Sequence, residues 1–124
     1  MTADRIAALG VPIRVAAGGE VTLRYTFAAL RRCEEEFGTL GACSESLNDL
    51  WHAIQADYAS PVVGPLERHL IAVTGDDEIG DRVEQHPSEL VTALALAWLV
   101  PMIVVAGPID EAPRLSVGLN NILD

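Results

Sequence analysis

A junction between a strand and a helix occupies residues 21–38, which read Val21-Thr22-Leu23-Arg24-Tyr25-Thr26-Phe27-Ala28-Ala29-Leu30-Arg31-Arg32-Cys33-Glu34-Glu35-Glu36-Phe37-Gly38. Apolar and polar residues alternate up to Tyr25, as they do in a half-buried strand. Thr26 then has the position of an N-cap, because its hydroxyl can accept a hydrogen bond from a free helix N–H. The apolar spacing that follows predicts a helix, and Gly38 is its expected left-handed end.

A second strand precedes this junction, so residues 11–25 predict a β-hairpin around Gly18-Gly19. A two-residue Gly-Gly loop would place apolar side chains opposite polar ones. A three-residue loop over residues 18–20 instead places apolar side chains opposite each other. We therefore expect the pairs Ala17–Val21, Val15–Leu23 and Ile13–Tyr25.

The first helix carries charges at a spacing of one turn. Arg31 and Arg32 stand four residues before Glu35 and Glu36, so we expect them to pair on a solvated face. The base-before-acid order is the weaker orientation, and acids near a helix C-terminus are unfavourable. A role of this face as a contact surface is therefore left open.

Four further helices are predicted downstream of Gly38. One has Leu47, Leu50, Trp51, Ile54 and Tyr58 on one face, with Ser44 and Ser46 as caps and an end near Ala59. The next has Pro65 in its first turn and stops at Thr74-Gly75, and a short helix with Ile79 and Val83 is capped by Asp76 or Asp77. Pro87, or Ser88 as cap, opens an apolar helix over residues 88–100 that should end near Pro101. Residues 102–105 fit either a strand or a continued helix.

These elements predict a mainly α fold, in which an N-terminal β-hairpin is followed by a compact bundle of about four to five helices. A chain of 124 residues is long enough for one domain with its own core. We divide it into an N-terminal arm over 1–10, the hairpin over 11–25, a helical body over 26–106 and a tail over 107–124 that we expect to be mobile.

Composition excludes several classes of partner. Eight Lys plus Arg against eighteen Asp plus Glu give a net charge of −10, which argues against binding to nucleic acid or to anionic membranes. The uncharged segment 90–106 contains Pro101 and lies at the lower edge of membrane-span length, so it predicts a buried helix. The N-terminus lacks the pattern of a secretory signal, and two cysteines do not make a disulfide framework. We expect a cytoplasmic protein with reduced thiols.

Residues able to carry chemistry are few. The histidines recur at intervals of seventeen residues, at His52, His69 and His86, and the cysteines Cys33 and Cys43 lie ten residues apart. Neither spacing is typical of a metal site. The acidic residues 76–81 do not match a calcium-binding loop and fit a solvated helix start, and no phosphate-binding glycine motif is present. We therefore expect no metal, no cofactor and no catalytic residue. Pairing of Cys33 with His52 or His69 stays open, because catalytic pairs need not be close in sequence.

Residues 21–38 resemble the opening of the small tail assembly chaperones of long-tailed bacteriophages and related gene-transfer particles. The matching positions are Leu23, Arg24, Tyr25, Phe27, Leu30, Glu34, Glu35, Phe37 and Gly38. Members of the family usually carry Asp or Asn where Thr26 and Ala28 stand. A looser similarity in the order and spacing of elements continues to about residue 100.

The resemblance implies a non-enzymatic role in the host cytoplasm. Such chaperones bind the long, apolar tape-measure protein, keep it soluble and help tail-tube subunits polymerise around it. Surplus apolar residues of the last helix are the expected contact positions, although they equally fit a core: Leu94, Trp98, Met102 and Ile103. The alternatives are another small tail morphogenesis protein, such as a tail-completion or terminator subunit, a small Cys/His hydrolase, and an acidic adaptor or antitoxin. Homo-oligomerisation is also left open.

Overall fold

The computed structural model describes the backbone of residues 10–106 and the side chains of residues 10–100. The predicted arm, except Gly10, and the predicted tail lie outside the described residues. The elements are β1 (Val11–Val15), a 3-10 turn (Ala16–Gly18), β2 (Gly19–Leu23), α1 (Phe27–Phe37), α2 (Leu40–Gln55), α3 (Val63–Thr74), α4 (Ile79–Arg82) and α5 (Pro87–Ala106). A mainly helical fold with an N-terminal hairpin is therefore confirmed.

The hairpin has the predicted loop length but a different register. Val11 lies opposite Leu23, Ile13 opposite Val21, and Val15 opposite Gly19. The three-residue loop is Ala16-Ala17-Gly18, so the expected pairs Ala17–Val21, Val15–Leu23 and Ile13–Tyr25 are wrong. Ala17 and Gly18 supply the two positive φ angles of the turn, at 64° and 73°. Both registers keep the same apolar residues on one face, because they differ by an even number of residues.

Helices α1 and α2 are joined by two residues. Thr26 caps α1 by accepting a hydrogen bond from the N–H of Ala29, and Gly38 ends it at a φ of 91°, both as predicted. Thr39 then caps α2 by accepting from the N–H of Ala42. The expected caps of α2, Ser44 and Ser46, instead lie inside the helix, because Thr39 offers an earlier cap directly after the Gly38 turn. The predicted helix end near Ala59 is also too late, since Asp57 and Tyr58 adopt positive φ.

Helices α3 and α4 follow the sequence pattern more closely. Pro65 lies in the first turn of α3, which ends at Thr74 before Gly75 in the left-handed conformation. The carboxylate of Asp76 accepts a hydrogen bond from the N–H of Glu78 and so shapes the turn that leads into α4. Val83 lies beyond α4 and forms an isolated bridge with Val15, which ties this segment to the hairpin.

Helix α5 is longer than predicted, because it continues through Pro101 to Ala106. Pro101 removes one backbone hydrogen bond, but no glycine that could supply a left-handed end occurs before position 107. The cap is His86, whose Nδ1 accepts from the N–H of Ser88, while the Glu89 carboxylate accepts from the N–H of His86. Within residues 10–106, no helix has the combination of length and apolar character that spanning a bilayer requires.

The core is built around α5. This helix packs against β1, α2 and α3, and most of its residues from Leu90 to Val100 are buried. Burial on every side explains why its sequence shows no polar face. Helix α1 packs on α2 and α3 at the outside of this core, so one of its sides remains in solvent.

Candidate functional site

The residues best suited to chemistry form a buried cluster, which we call the thiol–histidine cluster: Cys33, Cys43, Ser46 and His69. His69 Nδ1 lies 3.9 Å from Cys43 Sγ, and His69 Nε2 lies 2.9 Å from Ser46 Oγ. Both thiols and the imidazole have 0% exposure, whereas Ser46 is half-buried. The structure thus places Cys43, and not Cys33, beside His69, while His52 is exposed on α2.

The environment of this cluster keeps His69 and the Cys43 thiol neutral, while the hydrogen bond with Cys43 lowers the pKa of the Cys33 thiol. Burial, with a smaller contribution from the charge of Arg68, lowers the pKa of His69 from 6.5 to about 4. The hydrogen bond with Cys33, followed by burial, raises the pKa of the Cys43 thiol. The protonated Cys43 thiol is a poor nucleophile, and the Cys33 thiol has no exposed surface through which it could meet a substrate. In this conformation the thiol–histidine cluster contributes to the packing of the protein core.

Two arginines join α1 to α3 next to the cluster. Arg32 donates hydrogen bonds to the carbonyls of Ala72 and Val73, at 2.7 and 3.0 Å, at the end of α3. Arg68 pairs with Glu36 at 2.7 Å. The expected pairing of Arg31 and Arg32 with Glu35 and Glu36 within α1 is therefore wrong. Arg32 instead bonds carbonyls at the end of α3, which have no partner within the helix and lie at the negative end of its dipole.

Aromatic contacts also lie between α1 and α3. The ring of Phe37 stacks on the imidazole of His69 with centroids 4.4 Å apart, and the guanidinium of Arg68 lies 4.8 Å from the Phe37 centroid. Phe37 therefore shields His69 from solvent on the α1 side. Phe37, the aromatic residue before Gly38, thus helps to keep His69 buried and neutral.

Two open grooves lie beside these contacts. The first, of about 290 Å³, is lined by Arg32, Glu36 and Arg68, whose charged groups are engaged with the protein itself, and by Glu35 and Asp77, whose carboxylates form no ion pair among the described residues. The second, of about 470 Å³, lies between α2 and the start of α3 and is lined mainly by small and apolar side chains. Ser46 reaches its wall, although its hydroxyl is held by His69. Neither groove combines free polar groups with an enclosed shape.

The family-like residues of the stretch 21–38 divide into an inner and an outer set. Leu23, Tyr25, Leu30 and Phe37 are buried or half-buried, and Gly38 makes the turn. Arg24, Phe27, Glu34 and Glu35 are exposed. The inner set builds the fold, whereas the outer set makes no contribution to the core.

Most of the outer set lies on one side of α1, together with Arg31. We call this side the outer face of α1: Phe27, Arg31, Glu34 and Glu35. Phe27 is 78% exposed, and the guanidinium of Arg31 lies 5.4 Å from its ring centroid. Neither Glu34 nor Glu35 forms an ion pair with any residue of the described range 10–100. The outer face of α1 therefore presents one exposed phenyl ring beside two carboxylates that have no ion-pair partner among the described residues.

The expected contact residues of the last helix are placed differently. Leu94 is fully buried and belongs to the core. Trp98 is half-buried, and its ring meets that of Tyr25 edge to face at 4.8 Å. The side chains of Met102 and Ile103 lie outside the described residues. Of the two interpretations left open for this segment, core packing therefore applies to Leu94.

The acidic segment after α3 has a structural role. Asp76 bonds the N–H of Glu78 and pairs with Arg82, which lowers the pKa of its carboxyl. Among the side chains that the structure describes, no group of three or more His, Cys, Asp or Glu could hold a metal ion. Comparison of the chain with protein-family models, curated proteins and solved structures finds no match.

Proposed function

We propose that this protein is a phage tail assembly chaperone, which binds the tape-measure protein in the host cytoplasm and assists tail-tube assembly without catalysis. One observation carries the proposal. In the stretch that resembles the family, the aromatic side chain of Phe27 is 78% exposed and is not used by the fold. Because neither the core nor a turn uses this ring, it is available for contact with a client.

The charge of the chain fits this role. A net charge of −10 makes copies of the protein repel each other, so an apolar client held by the chaperone is kept apart from other clients. The exposed aromatic group is small enough to be tolerated on such a surface. We infer that binding to the client, rather than self-association, is the use of this face.

The burial of the thiol–histidine cluster favours binding over catalysis. A small Cys/His hydrolase would need a thiolate and an imidazole at the protein surface. Cys33, Cys43 and His69 each have 0% exposure, so this alternative requires a large opening of the core. The chaperone proposal requires no such change.

The test is co-expression with a tape-measure fragment. The client would be taken from the longest coiled-coil reading frame next to the gene, and its soluble fraction would be measured after centrifugation. We expect the fraction to rise when this protein is present, and not with an unrelated protein of similar size and net charge. Equal aggregation in all three samples would refute the proposal.

A second measurement separates this role from that of a structural tail subunit. An assembly chaperone is expected to be absent from purified virions and to elute without forming a discrete ring. Detection of the protein in finished particles, or a ring-sized species by light scattering, would favour a tail-completion or terminator subunit instead.

A further inference from the structure

The outer face of α1 presents three different chemical groups in a fixed order. Phe27 lies in the first turn, Arg31 one turn later, and Glu34 two turns after Phe27. At about 1.5 Å per residue, the phenyl ring and the Glu34 carboxylate are separated by about 10 Å along the helix axis. Such an array can select a partner by position as well as by charge.

The carboxylates on this face have no cation of their own. The chain contains no Lys or Arg between Arg32 and Arg68, so Arg31 and Arg32 are the cations nearest in sequence to Glu34 and Glu35. The guanidinium of Arg31 lies over the ring of Phe27 instead, and Arg32 is engaged with the end of α3. Three consecutive glutamates close to a helix C-terminus are also unfavourable for the isolated chain. A cation supplied by a partner would remove this cost.

We propose that the outer face of α1 is the docking site for a helical segment of the client that carries an apolar side chain and a Lys or Arg two turns apart. The apolar side chain packs on Phe27, and the cation pairs with Glu34 and Glu35. This proposal rests on the proposed function, since it names the segment of the client that the chaperone recognises. The exposed ring fits an apolar side chain, and the two carboxylates without an ion-pair partner in the described range are complementary in charge to a Lys or Arg.

The chain offers a matched control for the aromatic anchor. Val63 is 71% exposed and, like Phe27, lies in the first turn of a helix, but it belongs to α3 and lies away from the outer face of α1. Phe27→Ala and Val63→Ala each remove an exposed apolar side chain. We expect Phe27→Ala to weaken client binding by about tenfold or more, as for other interface anchors, and Val63→Ala to leave it unchanged.

A second pair of variants tests the carboxylates at matched net charge, because each variant removes two negative charges. Glu34→Gln with Glu35→Gln removes two charges from the outer face of α1. Glu45→Gln with Asp49→Asn removes two exposed charges from α2. The first pair should weaken binding and reduce its salt dependence, while the second should have the smaller effect.

Cross-linking gives a direct readout, because all eight basic residues of this chain are arginines. A carbodiimide joins carboxylates to primary amines, so cross-links can form only with lysines or the N-terminus of the client, or with the α-amino group of this protein itself. We expect client lysines on Glu34 and Glu35, located by mass spectrometry of the co-purified complex.

The outcomes distinguish this proposal from the proposed function. If the wild-type protein fails to solubilise the client, the proposed function fails. If wild type and Phe27→Ala solubilise it equally, or if Val63→Ala is as damaging as Phe27→Ala, the chaperone role stands and the docking site is wrong. Loss of binding in Phe27→Ala and in the Glu34/Glu35 pair only, with each variant as stable as wild type, supports the docking site.

Discussion

Mild acid should destabilise this protein through a single side chain, His69. The imidazole is fully buried, and burial lowers its pKa from 6.5 to about 4 in the folded state. Between these two values the unfolded chain binds a proton that the folded chain does not. Folding stability therefore falls as the pH is lowered through this window and is unaffected by His69 well above pH 6.5.

The size of the effect follows from the difference between the two pKa values. Each pKa unit corresponds to about 1.4 kcal/mol, so the full difference amounts to about 3 kcal/mol. About 2 kcal/mol of this should be lost between pH 7 and pH 5, where ordinary carboxyl groups are still ionised in both states. That is a large share of the stability of a typical domain.

Urea denaturation at pH 7, 6 and 5 measures this loss directly. His69→Gln should reduce the pH dependence, whereas His52→Gln, at an exposed histidine of α2, should leave it in place. Should His69→Gln not fold, NMR titration of the wild-type imidazole answers the same question. A His69 resonance that titrates near pH 6.5 in the folded protein, or a stability that is flat from pH 7 to 5, would refute the reasoning.

Three further perturbations test the packing. Arg32→Ala removes the guanidinium that bonds the end of α3 and should lower the free energy of unfolding by about 1–3 kcal/mol in urea, while Arg31→Ala at the exposed neighbouring position should change it by less than about 0.5 kcal/mol. Leu94→Ala should cost about 2–5 kcal/mol because Leu94 is fully buried, and a variant that stays equally stable yet loses client binding would show that the residue is a contact instead. Cys33 and Cys43 should react with Ellman's reagent slowly in the folded protein and quickly in urea, and rapid labelling at neutral pH without denaturant would favour the hydrolase alternative.

Local signals of the sequence predict the ends of elements well. Thr26, Gly38 and Gly75 act within one turn of their own position, so a cap or a positive φ can be inferred from the residue type alone. Thr39 carried the same kind of signal, since a capping residue directly after a helix-ending glycine marks a new helix. The early start of α2 was therefore available from the sequence.

Contacts between elements could not be predicted in this way. The hairpin register depends on whether the three-residue loop covers residues 16–18 or residues 18–20, and both choices satisfy the apolar alternation. With the observed register, Tyr25 leaves the hairpin and packs against Trp98. Arg32 likewise has a nearby carboxylate in sequence, but its partner is forty residues away at the end of another helix. Such pairings are decided by the packing of α1 on α3.

The separation of inner and outer residues within the same helix has a consequence for experiments on binding. Arg32 and Glu36 hold α1 to α3, whereas Glu34 and Glu35 face solvent near the helix C-terminus, where negative charge is unfavourable. Neutralising Glu34 and Glu35 should therefore leave stability unchanged or raise it by a few tenths of a kcal/mol. The docking proposal requires the same substitutions to weaken client binding. Opposite signs for stability and binding cannot arise from damage to the fold, so measuring both on one variant distinguishes a recognition surface from a structural one.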